Sequence, residues 1–194
     1  MIRAILASLL AGLVMFLWGW VYWRFLVMAL DPYGDLDADA EAALVETAKR
    51  ALPSGGVYYV PNPPSATESH DSAKAWMEKH ETGPLLQVFY HPEGSNPMDP
   101  GTFLTGFLHM AAVAFLLAIA MRKGGGCLAK YGCRLGLTAL IAVVAATWVD
   151  GGEIIWFYHP VKWEAIQWVY HAVGLLLGGA VVAALVKPVT PSSI

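Results

Sequence analysis

The sequence predicts an all-α membrane bundle of four transmembrane helices, with a small α/β extracytoplasmic insertion between the first and the second. Three observations predict it. Of the 194 residues, 57% are hydrophobic and 14% charged, whereas a soluble domain carries about a quarter charged residues. Four apolar runs approach or exceed the length that crosses a bilayer; ~30 Å of hydrocarbon takes about 20 residues at a rise of ~1.5 Å each. Charge is also segregated: Asp31–Gly101 holds twelve acidic and four basic residues, while Arg122–Arg134 holds four basic residues and no acidic one. Neither a basic stripe nor a basic arm suited to nucleic acid is present. The lipid bilayer is the partner that the composition implies.

The first span is assigned to residues 1–30, from the run Ala4–Val21 and its extension past Arg24 to Leu30. Arg3 before an apolar stretch resembles the start of a signal peptide. The stretch is long, rich in Trp and Phe, and lacks a clean small-x-small end, so it reads as a retained anchor. The insertion, residues 31–101, is too patterned for a linker. Ala38–Leu52 has helix-forming composition, with Leu44, Val45, Ala48 and Leu52 on one stripe. Asp37 or Asp39 caps its start, and Pro53-Ser54-Gly55-Gly56 stops it. Val57–Val60 and Leu85–Tyr90 read as strands, and Ser72–His80 as a second short helix. Two strands alone are marginal, so this unit is expected to lean on the membrane or on a partner.

The second span is placed at 102–122, the third at 135–155 and the fourth at 165–187, with loops at 123–134 and 156–164 and a tail at 188–194. Lys and Arg in short loops set orientation. The basic loop and both termini are therefore expected in the cytoplasm, with the insertion and the 156–164 loop outside. In a bacterium this is a multi-pass protein of the inner membrane with a periplasmic insertion.

Three stretches carry a resemblance. Gly12-Leu13-Val14-Met15-Phe16-Leu17-Trp18-Gly19, Gly56-Val57-Tyr58-Tyr59-Val60-Pro61 and Gly83-Pro84-Leu85-Leu86-Gln87-Val88-Phe89-Tyr90-His91-Pro92 are similar to the recurring pieces of a family of small, uncharacterised bacterial inner-membrane proteins. The likeness covers the first span and the insertion well and the last two spans loosely. It implies the four-span layout and brings no activity with it.

Candidate chemistry sits in one slab. Asp150 and Glu153, at i and i+3 near the end of the third span, share a helix face. His109 on the second span and His171 on the fourth lie roughly 8–12 Å below the same interface by helical rise. Arg24 falls at the same depth on the first span. Ionisable groups in a membrane cost a few kcal/mol each and seek partners or water. Three readings stand side by side: Arg24 pairs with Asp150 or Glu153 while the histidines bond within the bundle; the groups form a cavity for a metal, a quinone or another small ligand, or for protons; or His109 and His171 ligate a haem as a bis-histidine pair. The same two histidines are the candidate metal ligands, although no tight spacing motif supports a metal.

Elsewhere the plain explanation leads. His159 reads as an interfacial residue, and His70, His80 and His91 are scattered in the insertion. Cys127 and Cys133 fall in a loop where thiols are kept reduced, in a spacing that is a poor zinc signal, and are assigned no role. Tyr22, Trp23, Trp148, Trp156, Phe157, Tyr158, Trp163 and Trp168 form an interfacial belt, with Trp18 deeper and between helices. Ser8-x-x-x-Gly12 and Gly174-x-x-x-Gly178 allow close helix approach, within the bundle or against a partner. With no catalytic motif in view, the expected function is a non-catalytic accessory or assembly subunit of a larger membrane complex, without a cofactor. The alternative is a small membrane enzyme, transporter or redox module built on the polar slab, whose side chains must then converge on a cavity.

Overall fold

The computed structural model describes residues 1–65, 67 and 69–189, so most of the tail beyond residue 188 lies outside the described residues. Two compact units emerge. One comprises Met1–Tyr33 together with Met98–Ile194, and the other Gly34–Pro97.

The larger unit contains four helices long and apolar enough to cross a membrane: α1 (Ile2–Leu30), α4 (Pro100–Lys123), α5 (Tyr131–Phe157) and α6 (Val161–Leu185). Each runs past the span expected for it or close to its ends, because caps rather than hydropathy set helix limits. Asp99 accepts from the backbone N–H of Thr102 at 2.7 Å, with Pro100 in the first turn, and so starts α4 two residues early. Tyr158 adopts the left-handed conformation that closes α5.

The helices pack in the order α4–α1–α6–α5. α5 lies along α6, α6 along α1, and α1 along α4, with a lighter contact of α4 on α6. α4 and α5, consecutive in sequence, do not pack extensively on one another. Close approach rests on small residues. Ala4, Ala7, Ser8, Ala11, Gly12 and Met15 form the buried stripe of α1, at the helical spacing of one face. It meets Ala111, Ala114 and Ala118 of α4 and Val182 and Ala183 of α6. A Cβ on Gly12 would stand 2.7 Å from the Ala111 backbone. One on Gly174 would touch Trp18, and one on Gly178 would overlap Met15. Ser8, Gly12, Gly174 and Gly178 thus all face neighbours inside the chain.

Tyr22–Val27 of α1 is π-helical. That geometry puts Tyr22 and Val27, five residues apart and both buried, on one face. The Tyr22 hydroxyl donates to the Ile166 carbonyl at 2.7 Å and ties the stretch to α6.

The smaller unit contains α2 (Ala38–Ala51), β1 (Gly56–Val60), α3 (His70–Thr82) and β2 (Leu86–Tyr90). β1 and β2 pair antiparallel with Tyr58 opposite Val88, so the small α/β insertion is present. Asp37 caps α2 through Ala40, and Ser69 caps α3 through Ser72. Trp76 of α3 donates to the Pro61 carbonyl at 3.3 Å. The Val60–Pro61 and Gly83–Pro84 bonds are cis. No described residue of this unit is fully buried.

Candidate functional site

The gap between α4 and α5 is a cavity of about 350 Å³. Its floor is α1 and α6, through Met15, Trp18, Tyr170, His171, Gly174 and Leu175. Its walls are His109, Met110 and Val113 of α4 and Ala145, Ala146 and Val149 of α5. Small side chains make the space: Ala145, Ala146 and Gly174 leave open what longer residues would fill. Trp18 is held in place by its indole N–H, which donates to the Tyr170 carbonyl at 3.1 Å.

The lining is mostly apolar, and its side chains with polar atoms are Trp18, Tyr170 and two imidazoles. His109 is exposed on α4, and the side chain of His171 is 36% exposed. Behind His171 lies Asp150 of α5, buried, with its two carboxylate oxygens 3.0 and 3.1 Å from Nδ1. A carboxylate accepts and does not donate, so the ring proton belongs on Nδ1. The Nε2 of His171 has no hydrogen-bond partner among the described residues. One turn earlier on α6, the buried Oε1 of Gln167 also lacks a partner among the described residues.

The polar slab therefore divides. His109 and His171 both line the cavity, and Asp150 meets His171 from behind. Glu153 joins a second cluster at the α5–α6 turn, 3.7 Å from Nε2 of His159, whose Nδ1 lies 2.7 Å from the buried Glu164. Glu164 stands in the first turn of α6, where the helix dipole favours a carboxylate. Arg24 enters neither group. Its guanidinium lies 5.9 Å from the Phe25 ring on an exposed face. The expected pairing of Arg24 with Asp150 or Glu153 is corrected: the inward face of the π-helical stretch belongs to Tyr22 and Val27, and Asp150 is already engaged by His171.

Three features escaped the sequence. Glu164 was not singled out, although its place four residues after Pro160 in a helix start was a signal. Arg134 is buried, with Nε donating to the Ala183 carbonyl at 2.7 Å and one terminal nitrogen to those of Leu128 and Ala129 at 2.7 and 2.8 Å. Cys127 and Cys133, expected as free thiols without a role, form a disulfide with Cα atoms 5.8 Å apart. The short 3₁₀ turn Gly126–Ala129 folds back on the first turn of α5 and brings them together.

As for a metal, among the described residues no three His, Cys, Asp or Glu side chains converge as ligands. A haem between His109 and His171 would bring two propionates, and the lining offers no cation to meet them. Comparison with protein-family models, with curated proteins and with solved structures gives no match to this chain.

Proposed function

We propose that the protein binds a neutral, largely apolar small molecule drawn sideways from the bilayer into the α4–α5 gap. The observation that carries this is the cavity itself: a largely apolar space between two helices that do not close on each other, with two imidazoles among its lining groups. Apolar pockets with a few convergent polar groups are the usual form of a small-molecule site. His171, fixed by Asp150, supplies orientation, and His109 supplies a second polar contact on the α4 wall.

Gentle extraction with a C-terminal tag, followed by mass spectrometry of the organic extract, tests the proposal. It expects one small molecule per chain, enriched over bulk lipid and lost in Ala145→Phe, which fills the cavity. A second reading has its own support. In the smaller unit Phe89 is 71% exposed and its cross-strand neighbour Val57 51%, an apolar sheet face that suits docking on another membrane protein. A stoichiometric complex of membrane proteins carrying no enriched small molecule would favour this accessory role over ligand binding.

We also propose the inside location of both termini, on the strength of the basic α4–α5 loop. The Cys127–Cys133 bond pulls the other way, since disulfides persist in oxidising compartments. The charge rule is preferred because it rests on several residues rather than one bond. A reporter fused at the C-terminus and active only in an oxidising compartment would reverse the assignment.

A further inference from the structure

The chemistry of the Asp150–His171 pair narrows the ligand. Resting on the ligand-binding reading above, we propose that the cavity takes a lipid-soluble hydroquinone, a ring with two phenolic hydroxyls and an apolar tail, with one hydroxyl donating to Nε2 of His171.

Four observations lead there. First, the Asp150 oxygens lie 3.0 and 3.1 Å from Nδ1 of His171, so in a neutral imidazole the proton is drawn to Nδ1 and the Nε2 lone pair is the acceptor. The molecule bound must therefore bring a donor, an O–H or N–H. Second, a charged head group is disfavoured. Both oxygens of the buried carboxylate are taken up by the imidazole, so an ammonium has no free anion to meet. A phosphate or carboxylate finds no Lys or Arg in the lining, and an unpaired charge in an apolar site is costly. Third, the two imidazoles stand on different helices, His109 on α4 and His171 on α6. Two polar groups on two helices match a rigid molecule with oxygens at both ends of a ring better than a single-headed alcohol. Fourth, Trp18 and Tyr170 lie on the floor while Ala145, Ala146 and Gly174 leave space beside them, which suits a flat aromatic body. A phenolic hydroxyl, with a pKa of about 10 in tyrosine, is also a stronger donor than an aliphatic one. Asp150 acts here as a positioning residue: it fixes the tautomer and touches no ligand.

The test uses the full chain in nanodiscs under anaerobic conditions, with three probes that share a decyl tail. These are a hydroquinone, its di-O-methyl ether and the corresponding quinone, each measured for saturable binding above partition into empty nanodiscs. The hydroquinone is expected to bind at one per chain, with the ether about ten-fold weaker, the scale of one lost hydrogen bond and an unmet acceptor. Asp150→Asn lets an amide N–H face Nδ1 and moves the ring proton to Nε2, so the preference should shift from hydroquinone towards quinone. A merely structural role for Asp150 would lower all three affinities together. Ring ¹⁵N NMR of the unliganded wild type, which does not depend on a variant folding, should find the His171 proton on Nδ1. Equal binding of hydroquinone and ether, blocked in both cases by Ala145→Phe, would overturn the hydroquinone assignment and leave the cavity reading standing. A proton found on Nε2 would do the same. Saturable binding of none of the probes, in a protein that carries no enriched small molecule, would sink both.

Discussion

Arg134 offers a sharp test of how the end of the bundle remote from the cavity is held. The side chain is buried and donates to three carbonyls, those of Leu128 and Ala129 in the 3₁₀ turn and that of Ala183 in the last turn of α6. Carbonyls at a helix C-terminus lack intrahelical partners and carry the negative end of the dipole, so a guanidinium fork serves there without a carboxylate. Hydrogen bonds to a charged group contribute about 1.5–3 kcal/mol each. Their simple sum overstates the loss, because the carbonyls regain water when the fork is removed. Arg134→Met is therefore expected to cost about 3–5 kcal/mol, the range for breaking a buried charged network by removing one member. Arg134→Lys keeps the charge but loses the fork that reaches two elements at once, and should cost about 2 kcal/mol. Reversible unfolding in mixed micelles, followed by circular dichroism, measures both. A methionine variant within about 0.5 kcal/mol of wild type, the range of an inert surface change, would refute the reasoning. So would a lysine variant as damaged as the methionine one.

Gly12→Ala places a methyl 2.7 Å from the Ala111 backbone, whereas Gly136→Ala meets nothing within 4 Å. The first should destabilise by about 1–3 kcal/mol through overpacking, and the second should be neutral or gain a few tenths to ~1 kcal/mol from helix propensity; thermal midpoints of the pair in one detergent check the contrast. Reducing Cys127–Cys133, which closes a loop with a sequence separation of 6, should cost about 2 kcal/mol by the loop-entropy relation, seen as a lower unfolding midpoint with a phosphine reductant and no further effect in the Cys127→Ser/Cys133→Ser double variant. The backbone N–H of Thr102, and then its hydroxyl, hold the Asp99 carboxyl below the usual carboxylate range. Its stabilising effect on the start of α4 is thus full above the ordinary carboxyl pKa of about 3.9 and lost as pH falls through the lowered folded value. A carboxyl NMR titration that finds no lowering, or a Thr102→Val variant that leaves the midpoint unmoved, would contradict this.

The helices and the paired strands were legible because the signals are local. Apolar length, Pro-Gly punctuation and acidic caps each act within a few residues, so Ala38–Ala51 and Gly56–Val60 could be read almost to their ends. Contacts that depend on how the chain doubles back were not. The disulfide needs the 3₁₀ turn to reverse the chain between Cys127 and Cys133, and nothing in Gly-Gly-Gly-Cys specifies that turn over a flexible one. Arg134 read as one more loop charge that sets orientation; its burial follows from the nearness of the end of α6, about fifty residues later in sequence.

The polar slab shows where this boundary falls. Rise along a helix gives an expected depth, at ~1.5 Å per residue, and from it Arg24, His109, Asp150, Glu153 and His171 are expected at one level. Rotation about the axis is set by packing, and depth says nothing of it. In α1 the packing is altered by the π-helical stretch. Residues five apart stand about 140° apart on a regular α-helix, yet Tyr22 and Val27 are both buried. With that face occupied by an aromatic and an aliphatic side chain, Arg24 turns outward and leaves Asp150 without a cation. A buried carboxylate must still be satisfied, and His171 is the group that does it. The helix order explains why: α5 packs along α6 and not along α1, so the group within reach of Asp150 is His171, at 3.0 Å.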